Sequence, residues 1–377
     1  MKKLFFYSNI DYDNDAIGIT KKVKGQVKAF RELGYDVYYS CYDRDIFAIM
    51  DGQNDTVCDS KKNLFYWTKL NHAFRRFGLM SYVRSWLKTK RFDVVYLRYH
   101  YFDKFTLDLL RAAQGSAEKV IMEMHSYPCL GHDRLLDKVF TRLEKKYQEP
   151  CLKEIDMFAN MSSRRLPFSQ PQIEFRNTID PESISVRQPL KRDGILHMLS
   201  VAYERPAHGF DRVLRGLADY YKNGGTQSIK IVFAGKYMDS TKQFVKDNRL
   251  EEICQFVPPV SGQDLDNLYD RADIAIGHLA NHRVNSFAGS AIKTQEFLAK
   301  GIPFIYAWEE AMLPPDYPYA LKFELSEEPV NIEKVVNWWK CLGNTSANEI
   351  ASEMNSFFRT SAGWRTQMKY IVDAIDK

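Results

Sequence analysis

No stretch of the chain approaches ~18 consecutive apolar residues, so a membrane-spanning helix of ordinary length is not expected. The opening "MKKLFFYSNIDYDND" has two lysines but only a four-residue apolar run. That is too short for a secretory core segment and reads as a first strand. Cysteines are few and scattered, at Cys41, Cys58, Cys129, Cys151, Cys254 and Cys341, with no C-x-x-C and no His/Cys spacing for zinc. Free thiols in a reduced, cytoplasmic protein are the simplest account. Neither glycine-rich phosphate fingerprint, G-x-G-x-x-G or G-x-x-x-x-G-K-[ST], occurs. Short-period repeats and low-complexity segments are also missing.

What is present is a rhythm of short apolar runs, each followed by a charged helical stretch. The runs are "KLFFYSN", "DVYYSCY", "FDVVYLRY", "KVIMEMHSY" and "IDMFANMS", then "ILHMLSVAY", "IKIVFAG", "CQFVPPV", "ADIAIGHL" and "IPFIYAW". Near-continuous apolar runs bounded by helical patterns predict parallel strands covered on both faces, in βαβ units. The length, 377 residues with 45% hydrophobic and 27% charged content, suits two soluble domains. The rhythm breaks once, at "NTIDPESISVRQPLKRDGI", a segment rich in Pro, Ser and charge. We therefore expect an α/β protein of two Rossmann-like, doubly wound parallel-sheet domains facing a central cleft. The expected bounds are 1–180 and 181–355, with a C-terminal helix, 356–377, packing back on the first domain.

The net charge of +5 is unevenly spread: residues 61–92 hold nine Lys/Arg and no Asp or Glu, interleaved with aromatics. A solvated helix face, a basic surface lying on an anionic leaflet and a single-strand nucleic-acid surface all want this composition. No recognisable nucleic-acid module accompanies it, so the membrane surface ranks above nucleic acid.

In open α/β sheets ligands bind beyond the carboxyl ends of the strands, so the residues after each apolar run matter most. After the first run, Gly18 precedes a helix with Lys21 and Lys22 in its first turn, a place suited to an anion or to a simple turn. After "KVIMEM" stands His125, which can hydrogen-bond a sugar hydroxyl or a phosphate, with Glu123 on the same strand face to orient it. After "ILHMLSVAY" come Arg205 and His208, fixed donors able to neutralise a diphosphate or to form surface ion pairs. After "ADIAIGHL" a small polar loop, Asn285 to Ser290, feeds a helix on which Lys293 and Glu296 share a face.

These pieces together, "IGITKKVKGQVKAFRELGYDV", "EMHSYP", "RNTID", "VAYERPAHGFDRVLRGLA", "LDNLYDRADIAI" and "SAIKTQEFLAKGIPFI", resemble GT-B-fold glycosyltransferases along nearly the whole chain. They are most similar to family four of the retaining enzymes, in the bacterial exopolysaccharide and O-antigen branch. The resemblance implies a nucleotide-sugar donor, base unspecified, in the second half and an acceptor, a glycan or lipid-linked, in the first. It assigns Glu296 to the donor ribose and, with His125 beside the transferred sugar, to the catalytic centre. Arg205, His208, Lys293, Gly289 and Ser290 fall to the donor diphosphate, and Gly18 and Lys21 to an acceptor-side loop.

The chain departs from the family where an earlier glutamate falls on Ala288, and where a usual arginine and lysine fall on Tyr203 and His208. No D-x-D pair of aspartates is expected at a strand end, and "DYDND" lies in the acceptor half. Metal independence and no cofactor are the expectation. The implied activity is retaining glycosyl transfer in surface polysaccharide synthesis, cytoplasmic and peripheral on the inner face of the plasma membrane. A non-catalytic partner subunit of the same fold and a nucleotide-sugar epimerase are the alternatives.

Overall fold

The computed structural model describes residues 1–13, 18–64, 66–67, 71–125, 127, 135–161 and 165–377. The chain divides into two units, Met1–Asp180 with Trp364–Lys377, and Pro181–Gly363.

In the amino-terminal unit the elements are β1 (Lys2–Asp11), α1 (Gly18–Glu32), β2 (Tyr35–Asp43), β3 (Ile46–Asp51), β4 (Thr56–Lys62), α2 (Asn71–Leu87), β5 (Phe92–Arg98), α3 (Lys104–Gln114), β6 (Ala117–Met124), α4 (Leu135–Leu152), β7 (Met157–Asn160) and β8 (Gln172–Glu174). Among the described residues the sheet runs β4-β3-β2-β1-β5-β6-β7-β8. From β2 to β8 it is parallel, as the unbroken apolar runs require when both faces are covered. The edge differs: β3 and β4 add antiparallel to β2. The short turns Arg44–Asp45 and Gly52–Asp55 leave no room for a parallel crossover.

The carboxy-terminal unit contains β9 (Leu196–Tyr203), α5 (Phe210–Lys222), β10 (Ile229–Lys236), α6 (Asp239–Asp247), β11 (Cys254–Val257), α7 (Gln263–Arg271), β12 (Ile274–Ile276), β13 (Ala288–Gly289), α8 (Ile292–Lys300), β14 (Phe304–Tyr306), β15 (Glu309–Glu310), β16 (Ala320–Lys322), α9 (Ile332–Leu342) and α10 (Ala347–Ser361). Its main sheet runs β11-β10-β9-β12-β14-β16, parallel throughout. Both units are thus Rossmann-like, with the strand order reversing beside β9 in the second. Helix α10 packs on α8.

The last helix, α11 (Trp364–Ile375), packs on α1 in the amino-terminal unit. Its Trp364, Met368, Ile371 and Ile375 join Val23, Val27 and Phe30 of α1 in one buried cluster over Leu4, Phe6, Val94 and Tyr96 of the sheet. The opposite face is covered by Leu79, Val83 and Trp86 of α2 and Leu107 and Leu110 of α3. The close contact of α1 and α11 rests on Gly25: a Cβ there would stand 2.5 Å from Cδ1 of Trp364.

The basic segment 61–92 is largely built into this core. Arg75 pairs with Asp11, Arg76 with Asp103 and Arg84 with Asp108, so the arginines of α2 are neutralised inside the unit. The exposed cations are Lys61, Lys62, Lys88, Lys90 and Arg91, and Lys69 lies outside the described residues. Among the described residues no helix is long and apolar enough to cross a membrane. Strand β1 extends to Asp11, so Asp11 and Asp13 do stand at a strand end. Asp11 faces Arg75 at 3.0 Å and Asp13 faces Arg44 at 3.3 Å.

Gly25→Val should force Trp364 out of its seat at a cost of about 1–3 kcal/mol. A denaturant titration that left the midpoint unchanged would show that α11 does not depend on this contact.

Candidate functional site

At the carboxyl ends of β9 and β10, a cavity of about 760 Å³ opens in the carboxy-terminal unit. That volume suits a small-molecule site. Its walls include Arg205, His208, His278, Lys293, Glu296 and Trp308. A second cavity of about 730 Å³ lies toward the amino-terminal ends of the same strands, lined by His197, Lys230 and Arg271 among others. The first is the better candidate on chemical grounds. It holds a buried cation with no hydrogen-bond partner among the described residues.

The first wall follows β9. Tyr203 is exposed, and Glu204 turns away to accept from Met238 N and Thr241 Oγ1, which secures the start of α6. A single helical turn, Pro206–His208, then leads into α5. Gly209 between them has φ of +65°, and a Cβ there would lie 2.8 Å from Cβ of Ala280. Only glycine makes this left-handed turn without strain at so close an approach. Backbone bonds Leu279 N to His208 O and Ala280 N to Ala207 O stitch the turn to the loop after β12.

His208 is oriented by its own backbone. The N–H of Arg205 donates to Nδ1 at 3.0 Å, so the neutral ring carries its proton on Nε2. Burial, with Lys293, His278 and Arg205 adding to it, lowers its pKa to about 3. The ring stacks on Phe210 and stands 5.0 Å, centroid to centroid, from His278. His208 therefore offers a fixed neutral donor, and Arg205 stands exposed at the rim.

The second wall is the start of α8. Lys293 and Glu296 both line the cavity, as their spacing on one helix face predicts. The Lys293 ammonium is buried with no hydrogen-bond partner and lies 5.8 Å from the centre of the Phe210 ring. Burial pulls its pKa down to about 8 against the opposing attraction of Glu296. A buried unpaired donor costs free energy, more so when charged. An anion in the cavity would remove that cost.

Gly289 and Ser290 are not among the cavity's lining residues. Gly289 packs on Trp308, and the Ser290 hydroxyl accepts from Gln295 Nε2 at 2.8 Å. The strip Ala288–Gly289 pairs in parallel with Glu309–Glu310. The buried carboxylate of Glu310 accepts from Ala291 N at 3.2 Å, just before α8. The loop thus owes its shape to a backbone pairing that no sequence period announces.

Two lining residues escape the sequence reading. His278 follows β12, and its Nδ1 is buried without a hydrogen-bond partner. Burial first, then Lys293, lowers its pKa to about 4. The rule that singles out His125, a histidine just past a strand, would have found it. Trp308 is buried with Nε1 unpartnered, its ring 6.0 Å from His278. Nothing in its local sequence distinguishes it from a core tryptophan.

His125, Gly18 and Lys21 belong to the amino-terminal unit. Gly18 opens α1 and Lys21 is exposed, while the preceding residues 14–17 lie outside the described residues. His125 is half-buried just past β6; Ser126 and Pro128 of the same motif are outside the described residues. Glu123 does not hydrogen-bond His125, contrary to expectation. Its oxygens accept from Lys22 Nζ at 2.7 Å, Gln26 Nε2 at 2.7 Å and Tyr96 OH at 3.0 Å. Lys22 is thereby occupied as an ion-pair partner rather than left for a ligand. Among the described residues no group of three or more His, Cys, Asp or Glu is placed to hold a metal ion.

No family model and no curated protein matches this sequence. Solved structures do match in fold. A glycosyltransferase from Rickettsia africae superposes with a TM-score of 0.61 at 10% identity, covering 99% of this chain and 97% of that one. Sucrose-phosphate synthase from Thermosynechococcus elongatus gives 0.58 at 11% identity, over 100% and 99% of the two chains. Anabaena HepE in complex with UDP gives 0.57 at 11% identity over 100% of both. The chain therefore has the fold of the GT-B glycosyltransferases.

Proposed function

We propose that this protein is a nucleotide-sugar-dependent glycosyltransferase whose donor occupies the cavity at the carboxyl ends of β9 and β10. The observation that carries the proposal is the buried, unpartnered ammonium of Lys293 in that cavity, beside Glu296. Two further points support it: the shared fold, and the solved structures of that fold in complex with UDP or UDP-2-fluoro glucose.

The donor diphosphate takes the place of Lys293's missing partner, with His208 Nε2–H and Arg205 as further donors. The Glu296 carboxylate accepts from the two ribose hydroxyls, a pairing its two oxygens suit. As the bond from sugar to diphosphate lengthens, negative charge grows on the leaving oxygens. Fixed positive groups in a dry cavity then stabilise the transition state more than the ground state. The resemblance adds His125 beside the transferred sugar, an anomerically retaining course and no metal.

The acceptor is a glycan or a lipid-linked sugar of a bacterial surface polysaccharide. We further propose that Lys61, Lys62 and the exposed Leu64, Trp67 and Phe74 hold the protein against an anionic membrane surface. Co-sedimentation with vesicles containing an anionic lipid should fall on raising the salt and in a K61E/K62E variant. Equal binding at every salt concentration would refute this part.

Nucleoside diphosphate release from a nucleotide-sugar panel tests the activity itself, and release with none of them would overturn it. Glu296→Ala should weaken nucleoside diphosphate binding about 10–100-fold, the worth of hydrogen bonds to a charged group.

Lys293→Met should abolish the thermal stabilisation by nucleoside diphosphate and yet raise the stability of the empty protein at neutral pH by about 1–3 kcal/mol. The sign follows from linkage. Lys293 has its pKa near 8 when folded and 10.5 as its ordinary value, so the unfolded chain binds more protons between them. Stability therefore rises with pH across that window, and the buried cation is a burden below it. The advantage of Lys293→Met should shrink above pH 8. A variant that is less stable at every pH would mean that Lys293 is a structural residue.

A further inference from the structure

The amino-terminal unit carries its own excess of buried positive charge. Arg98, the last residue of β5, pairs in register with Glu123 of β6. The Glu123 carboxylate is wholly buried and already accepts from Lys22, Gln26 and Tyr96. Arg98 reaches it only at 3.6 Å. Its side chain is 8% exposed, and its Nε makes no hydrogen bond. One carboxylate thus faces two cations, and it is spent mainly on Lys22.

Two residues beyond this pair stand His100, after β5, and His125, just past β6. Nδ1 of His125 is buried without a hydrogen-bond partner, and His100 lies exposed beside it at the sheet's end. Among the described residues the other charged groups near these rings are Lys22, paired with Glu123, and Arg76 and Asp103, paired with each other. The His125 imidazole has its pKa lowered to about 4, by burial first and then by Arg98, with Glu123 opposing and Lys22 and His100 adding.

We propose that Arg98, His100 and His125 form a binding site for a phosphate group at the carboxyl ends of β5 and β6. A tetrahedral oxyanion offers oxygens in several directions, matching a guanidinium and two imidazoles carried on two neighbouring strand ends. Bound phosphate satisfies Arg98 Nε, relieves the repulsion among the three groups and draws a proton onto the histidines. If the reading under Proposed function holds, this is the acceptor's site, and the acceptor carries a phosphate or diphosphate, either free or as a lipid headgroup.

The test is calorimetric titration of inorganic pyrophosphate into the Lys293→Met protein, in which the donor cavity has lost its buried cation. We expect binding that strengthens on lowering the pH from about 8 to 6 and falls at least about tenfold when H100Q and H125Q are added, one hydrogen-bonded contact or more. These two substitutions leave Glu123 and its partners in place. Nucleoside diphosphate binding to an H100Q/H125Q protein with Lys293 intact shows that the chain is folded. Absence of pyrophosphate binding in Lys293→Met, or equal binding with and without H100Q/H125Q, overturns the proposal.

Two further arms name the source. Dependence on His100 and His125 for binding a soluble hexose phosphate supports a free acceptor, and the same dependence for phosphatidylcholine vesicles containing phosphatidic acid supports a headgroup. Dependence in neither arm counts against the site. Failure of the donor reading would be seen separately, as loss of nucleoside diphosphate binding by the unmodified protein.

Discussion

Parallel pairing of β9 with β10 and β12 is the constraint on which the candidate site depends. It ends three strands at one edge and delivers the turn at Pro206–His208, Gly235 near the end of β10 and the loop after β12 to a common place. The turn and the loop are held to each other by the bonds from Leu279 and Ala280 to His208 and Ala207. A rigid rim of backbone results, and side chains with no internal partner can be kept buried there.

The two units bury cations in different ways. In the amino-terminal unit Lys22 meets Glu123, whose pKa is carried down to about 2: burial would raise it, and Lys22, Arg98 and the hydrogen bonds from Lys22 and Gln26 outweigh that. The pair lies between α1 and the sheet and orders the contact between them. In the carboxy-terminal unit Lys293 is buried with no hydrogen-bond partner among the described residues. A folded protein retains such a group against its own stability where an external anion repays the cost. The contrast separates a charge paired within the fold from one left without a hydrogen bond among the described residues.

The fold was largely legible in the apolar runs because parallel strands covered on both faces have no choice but to be apolar along their length. The β3–β4 edge was not, since exposed β4 carries no apolar signature at all. Within the site, Lys293 and Glu296 could be placed on one face from helical spacing alone, and Arg205 and His208 from their position after a strand. His278 obeyed the same rule unnoticed. The pairing of Glu123 with Lys22 rather than His125 could not be read, because the two residues are 101 positions apart and meet only when α1 crosses the sheet.

The sequence by itself determined the periodicities: which segments are strands, which helix faces are apolar, and where glycine must stand for the chain to turn. These are local properties, set by side-chain spacing and backbone sterics within a few residues. Tertiary structure alone decided which polar groups are satisfied. Lys22 and Lys293 look alike as lysines in the first turn of a helix after a strand. One finds a carboxylate from a neighbouring strand and the other finds an aromatic ring and an empty cavity, and that difference arises from long-range packing.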